Sequence, residues 1–205
     1  MKKILSIALL LTLALAVLAG CADNTPKPNA GVLTEGFDFT GKHHVELMIR
    51  DYGKITLELD GDVAPPITVE NFMRLADSGF YDGLTFHRII SGFMMQGGDP
   101  KGNGTGGSDK TIKGEFSANG VENKLSHTRG AISIARSNAP DSASSQFFIV
   151  HKDSDFLDGN YACFGYVTEG IDVVDQVCAS VKVTDSNGTV KAGEQPVIEW
   201  IRVVD

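Results

Sequence analysis

The chain has 205 residues, 42% of them hydrophobic and 21% charged, with a formal net charge of −8. That balance is too apolar and too weakly charged for a disordered chain, and only one apolar run approaches membrane length, which excludes a multi-span membrane protein. The acidic excess argues against a nucleic-acid partner, and three cysteines are too few for a disulfide scaffold.

At the N-terminus Lys2 and Lys3 form a basic region, residues 4–17 an almost unbroken apolar run, and Leu18-Ala19-Gly20 a stretch ending in small residues directly before Cys21. This order is that of an export signal, and the apolar run is shorter than the roughly 20 residues of a spanning helix. Leu-Ala-Gly-Cys resembles the lipobox of bacterial lipoproteins, in which the cysteine is acylated and becomes the mature N-terminus. The resemblance implies a signal peptide over residues 1–20 and a lipid anchor at Cys21. It also implies an extracytoplasmic location on a bacterial membrane. Residues 22–36, with Pro26, Pro28, Asn29 and Gly31, show no apolar period and read as a flexible linker, so residues 21–38 are expected to tether a domain over 39–205. Of the cysteines that remain, Cys163 and Cys178 both lie in apolar stretches, which suits buried free thiols, with a disulfide as the less favoured alternative.

Within the domain, alternation with period two dominates. Val45, Leu47 and Ile49, then Ile55, Leu57 and Leu59 beyond Tyr52-Gly53, predict a hairpin of half-buried strands. Further strands are expected over 84–90, 93–97, 131–135, 146–150, 162–167 and 197–203. After Pro65-Pro66, Thr68 is expected to cap a helix bearing Val69, Phe72, Met73 and Ala76, with Gly79 as its stop. Ile171, Val174 and Cys178 predict a second helix after Gly170. Eight short strands and two amphipathic helices predict a mainly β protein, a closed eight-stranded antiparallel barrel with a helix plugging each end.

Residues 102–107 spell G-x-G-x-x-G, but no helical period follows, so a flexible surface loop is expected and not a dinucleotide site. The five histidines show no metal or protease spacing and read as surface or loop-bracing groups, and G-x-S-x-G is absent. Arg88, by contrast, lies inside an apolar strand, where a guanidinium must find partners for its five donors. Met94 and Gln96 share a face of the next strand, as do Gln146 and Phe148 of another. Either Arg88 is a core arginine satisfied by carbonyls, or an arginine and two amides converge on an apolar patch.

FHRIISGFMMQGGD, NGTGG, SSQFFIV and FLDGNYACFG, in this order, resemble the cyclophilin-type peptidyl-prolyl cis–trans isomerases. The similarity spans about residues 42–205. It implies a barrel capped by two helices with the site on its outer face. By the same resemblance Arg88 is the catalytic arginine, and Phe93, Met94, Phe148 and Leu157 line a pocket for the proline ring. Gln96 bonds substrate backbone, Gln146 lies at the site's edge, and Ala135 and Arg136 pair with substrate through their main chain. Two aromatic positions depart from many eukaryotic members: Phe156 stands for tryptophan, and Tyr161 for histidine. The first implies weak cyclosporin binding, and the second keeps a polar aromatic wall.

Rotation about an X–Pro bond faces a barrier of roughly 18–20 kcal/mol from lost amide resonance. No bond is made or broken, so no cofactor, metal or nucleophile is expected. The implied partners are flexible Pro-containing polypeptides, with no nucleic acid, and the chain is expected to be a monomeric, membrane-anchored foldase for exported proteins. The alternatives are a low-turnover module that holds Pro-containing segments, and a lipocalin-like carrier with its ligand in the lumen.

Overall fold

A computed structural model describes residues 31–62 and 66–205. The export signal over 1–20, Cys21 and the linker as far as residue 30 lie outside the described residues, as does Pro65. The elements in order are β1 (Lys42–Ile49), β2 (Gly53–Asp60), α1 (Ile67–Asp77), β3 (Phe86–Ile90), β4 (Met94–Gly97), β5 (Ala131–Ile134), β6 (Phe147–Val150), β7 (Cys163–Glu169), α2 (Ile171–Ser180) and β8 (Ile198–Val203). Short 3-10 turns occupy Ser117–Asn119 and Asp155–Leu157.

All the sequence-predicted strands are present; most are trimmed by a residue or two where the chain turns, while β7 starts one residue later than expected and runs on to Glu169. The β1–β2 hairpin pairs Val45 with Leu57 and Leu47 with Ile55, which puts Val45, Leu47, Ile49, Ile55, Leu57 and Leu59 on one fully buried face. The eight strands form one antiparallel sheet in the order β3-β4-β6-β5-β7-β2-β1-β8.

The sheet does not close into the expected barrel. Its edge strands β3 and β8 form no ladder; they meet through one isolated bridge, Thr85–Val197, lying before both strands. Hydrogen bonds from Phe86 N–H to Pro196 O (3.0 Å) and from Ile198 N–H to Leu84 O (2.8 Å) reinforce that point. Pro196 has no N–H to extend a ladder, and β3 spends its own edge on the 183–190 segment, through Arg88–Thr189 pairing. The result is a curved half-barrel.

Among the described residues, its concave side is packed with the buried apolar side chains of the main core. Phe72 of α1 packs against Tyr81, Phe147 and Phe164 with ring centroids 5.2–5.3 Å apart. α1 packs on β8, while α2 packs against β2 and β4. Val173, Val174, Val177 and Cys178 form the buried stripe of α2, and Cys178 and Cys163 are both free, buried thiols. Burial pushes both thiols up to about 12.

Two local expectations need correction. Thr68 does not cap α1 but sits inside its first turn. The cap comes from the buried Glu115, whose carboxylate accepts the N–H groups of Ile67 (3.2 Å) and Thr68 (2.7 Å) and the Thr68 hydroxyl. A carboxylate at a helix N-terminus also meets the positive end of the dipole. The helix ends as expected, with Gly79 at φ 75° just beyond the cap residue Ser78.

The described end of the expected linker lies against the domain. Val32 N–H and Leu33 N–H donate to the Asp77 carboxylate at 2.7 and 3.2 Å, and Gly31 N–H to Asp77 O at 3.1 Å. Leu33 and Phe37 pack on the core, and Phe37 meets Phe39 at 5.0 Å. No periodic pattern advertises this docking, because it uses backbone donors and two isolated apolar side chains.

Candidate active site

The alternation of β3, β4, β5 and β6 separates two apolar clusters. Ile89, Met95, Ile132, Phe147 and Ile149 point into the main core. Met94, Ala131, Phe148 and Val150 point to the opposite, outer face, where Leu157 and Cys163 join them. On that outer face Arg88 pairs with Gln96, and Gln96 with Phe148, so three side chains stand in a row across three strands.

Beside this row lies a cleft of about 170 Å³, bounded by Phe93, Met94, Phe148, Leu157 and Tyr161 on its apolar side and by Arg88 and Gln96 on its polar side. Ala135 and Arg136 complete its rim. A buried space of about 150 Å³ is enough for a benzene-sized ring, so a five-membered ring fits this one. The hydroxyl-bearing Tyr161 ring meets Phe148 edge-on at 5.8 Å.

Arg88 is half-buried and held from behind. Its Nε–H donates to Asn187 O at 2.8 Å, while one terminal nitrogen lies 3.4 Å from Gln96 Oε1 and 3.8 Å from Met94 Sδ. Burial lowers its pKa, and Tyr161 and Asp185 act in the opposite direction. An arginine so far above neutral stays charged. Of the sequence alternatives, the structure therefore has the converging one: the guanidinium uses a single carbonyl and faces the cleft. Asn187 comes within reach because Gly188, at φ 81°, lets its loop touch β3, with Ile89 N–H donating to Gly188 O at 2.8 Å.

Gln96 is itself fixed, its Nε2 donating to Gln146 Oε1 at 2.9 Å while Gln146 Nε2 donates to Gly106 O at 2.7 Å. Gln146 thus belongs to a second cleft of about 240 Å³, which shares Gln96, Ala135 and Arg136 with the first. Its far wall is the 102–107 loop. That loop is tightly organised, contrary to the flexible loop expected. Buried Asp99 accepts N–H groups from Lys101 (2.8 Å), Asn103 (3.0 Å) and Gly104 (2.6 Å). Burial works to raise the Asp99 pKa, but these backbone donors outweigh it and hold the carboxyl below its usual range.

Phe156 is the expected site residue that lines neither cleft. It is 68% exposed and lies on the outer side of Phe93, ring centroids 5.5 Å apart.

Sequence reasoning missed the support behind the pocket. Of the surface or loop-bracing roles expected for the histidines, His127 has the second: it is fully buried and stacks on Phe148 at 6.0 Å with 17° between the rings. Its Nδ1 lies 2.6 Å from Asp158 Oδ1 and its Nε2 3.0 Å from Ser133 Oγ. Burial lowers the His127 pKa against the pull of Asp158, so the ring is neutral. His43 and His87 are likewise buried, and His87 Nδ1 has no hydrogen-bond partner among the described residues. Only an Asp directly before a Gly, at Asp158-Gly159-Asn160, hinted at a carboxylate turned back to brace a loop.

The family model described as cyclophilin type peptidyl-prolyl cis-trans isomerase/CLD matches residues 44–202. Peptidyl-prolyl cis-trans isomerase B of Bacillus subtilis is 48% identical over 125 residues, 61% of this chain and 83% of that protein. A peptidyl-prolyl cis-trans isomerase of Helicobacter pylori is 47% identical over 127 residues, 61% of this chain and 75% of its own. Among solved structures, a cyclophilin-type isomerase of Cryptosporidium parvum, crystallised in the presence of the dipeptide Ala-Pro, superposes with a TM-score of 0.69 at 28% identity. That match covers 79% of this chain and 99% of the other.

Proposed function

Because the chain belongs to the cyclophilin-type peptidyl-prolyl cis–trans isomerase family and is an isomerase of that kind, we propose that its catalysis takes place in the Arg88–Phe148 cleft. The substrates are X–Pro bonds of exported proteins, reached from a lipid anchor at Cys21. The observation that carries the placement is a charged fork, held from behind by one carbonyl, at the edge of an apolar space the size of a proline ring.

Catalysis of this rotation means holding the twisted amide more tightly than either planar isomer. Phe93, Met94, Phe148 and Leu157 grip the ring while the segment before it turns. Excluding water from the cleft weakens hydrogen bonding to the amide oxygen, which otherwise favours the resonance-charged planar form. As the prolyl nitrogen pyramidalises it gains a lone pair, and a free Arg88 N–H donates to it, an interaction the planar ground state cannot make. Gln96, steadied by Gln146, and the main chain at Ala135 hold the substrate backbone in register. Tyr161, edge-on to Phe148, closes the apolar wall and brings a hydroxyl to it.

The test is exchange spectroscopy on a short Ala-Pro peptide. Uncatalysed exchange takes tens to hundreds of seconds. Catalytic amounts of protein are expected to bring it into the subsecond range. Peptide binding at the cleft without faster exchange would overturn the catalytic reading and leave a binding module.

A further inference from the structure

Six arginines lie in the described chain. Arg50, Arg74, Arg129 and Arg202 each meet a carboxylate, respectively Glu199, Glu70, Asp175 and Asp82. Arg88 and Arg136 are the two without an ion-pair partner among the described residues, and both border the proline-sized cleft. Arg88 has a role in the proposed reaction. The charge on Arg136 has none, because the main chain at that position suffices for backbone pairing.

The Arg136 side chain is nonetheless built into place. Its Cζ lies 4.8 Å from the centroids of both the Phe116 and the Tyr161 rings. Its Nε and one terminal nitrogen donate to Asn160 O at 3.0 and 2.8 Å, and the other terminal nitrogen donates to Ser137 O at 2.9 Å. Three of the five guanidinium N–H groups are thereby used, which leaves one on each terminal nitrogen. Two aromatic faces and two carbonyls fix the plane of the group, so little side-chain freedom is lost when those two donors are engaged.

The position of that plane defines the ligand. Arg136 and Ala135 are common to the proline-sized cleft and to the larger cleft beside it, as is Gln96. A polypeptide whose proline ring sits in the first cleft must pass Arg136 when a neighbouring side chain enters the second. The second cleft is polar, with Thr105, Ser142, Ser144 and Gln146 on its walls and no aspartate or glutamate among its lining residues. Nearby Asp99 is already occupied by loop N–H groups, and Asp158 by Ser126 and His127. An unneutralised cation at the mouth of a polar, acid-free cleft favours a carboxylate and disfavours an ammonium group.

We propose that Arg136 is a specificity-determining residue that selects Pro-containing segments with an aspartate or glutamate close to the proline. The inference rests on the isomerase reading above and adds the chemical class of substrate. It also gives the acidic protein a local means of receiving acidic segments that its overall charge of −8 would otherwise repel.

The test uses peptides with one X–Pro bond and Glu, Gln or Lys placed in turn at each of the two positions before and after the proline. Relative kcat/KM is read by exchange spectroscopy at low salt. Wild type is expected to rank Glu above Gln above Lys at one position, with Glu over Lys by about five- to tenfold, and the ratio should shrink as salt screens it. The Glu/Lys ratio is taken within each protein, so any shared loss of turnover cancels. Arg136→Gln should bring it to about one, and Arg136→Lys, which keeps the charge but not the fork, should retain part of it. Wild type that turns over the Gln peptides but ranks Glu and Lys equally at all four positions would overturn the proposal while the isomerase reading stood. A ratio unchanged in Arg136→Gln would overturn it as well. Failure to turn over any of the peptides, the Gln series included, would instead refute the isomerase reading on which it rests.

Discussion

Replacing His127 by alanine removes the group on which the pocket wall leans. The imidazole is fully buried and makes two side-chain hydrogen bonds, one of them to an ionised carboxylate, besides its stacked contact with Phe148. Asp158 keeps Ser126 Oγ–H (2.6 Å) and the residue-127 N–H (2.8 Å), so its charge is not stranded. The loss is then one charge-assisted bond, one neutral bond and a ring-sized void. Together these cost about 3–4 kcal/mol, equivalent to a fall of about 10 °C in Tm for a domain of this size. Urea unfolding of wild type and variant measures it. The pH dependence adds a second readout. His127 is neutral in the native state with its pKa lowered by burial, whereas in the unfolded chain it titrates near 6.5. Its share of stability is present above about pH 6.5 and is lost as pH falls from there toward the native value, because the unfolded state takes up the proton first. The Ala variant should therefore lose less stability than wild type between pH 7.5 and 5.5, with His87, also lowered by burial, keeping part of the slope. KM for a proline peptide should rise as Phe148 loses its backing. A destabilisation below about 1 kcal/mol with an unchanged pH slope would refute the buttress.

Gly188→Ala forces a Cβ to 2.4 Å from Ile89 O at a φ of +81°. The loop must withdraw, Asn187 O leaves Arg88, and turnover is expected to fall about tenfold with stability down by about 1–3 kcal/mol; unaltered turnover would show that Arg88 needs no carbonyl behind it. Phe156→Trp supplies an indole N–H on the exposed rim beside Phe93 and is expected to tighten cyclosporin binding about five- to tenfold. An unchanged inhibition constant would remove the indole explanation. Cys21→Ser should move the protein from the membrane to the soluble fraction, and an unshifted distribution would contradict the lipid anchor.

The strands and helices were legible because their signals are local: alternation at Val45-Leu47-Ile49, and helical spacing at Phe72-Met73-Ala76. The closure of the barrel was not, since it depends on how segments more than a hundred residues apart, at Thr85 and Val197, meet around Pro196. Thr68 misled for a similar reason. A hydroxyl at a helix start looks like a cap, while the capping carboxylate of Glu115 comes from 47 residues away. In the site, Arg88, Gln96 and Phe148 could be placed on one face from the period of the strands alone. Asn187 and His127 could not, because one acts through its backbone carbonyl and the other through a ring hidden behind the wall. Arg136 reads in sequence as a residue used for its main chain. Only the positions of Phe116, Tyr161 and Asn160 reveal a guanidinium held ready at the rim.

The role of Arg88 as donor to the pyramidal prolyl nitrogen is tested most directly by kcat/KM for an Ala-Pro peptide in wild type, Arg88→Lys and Arg88→Ala, with circular dichroism confirming that all three fold. Loss of a donor used only in the twisted state, worth about 3 kcal/mol, predicts a fall on the order of a hundredfold for Ala, carried mainly by kcat, with Lys in between. Wild-type turnover by a folded Arg88→Ala protein would contradict it.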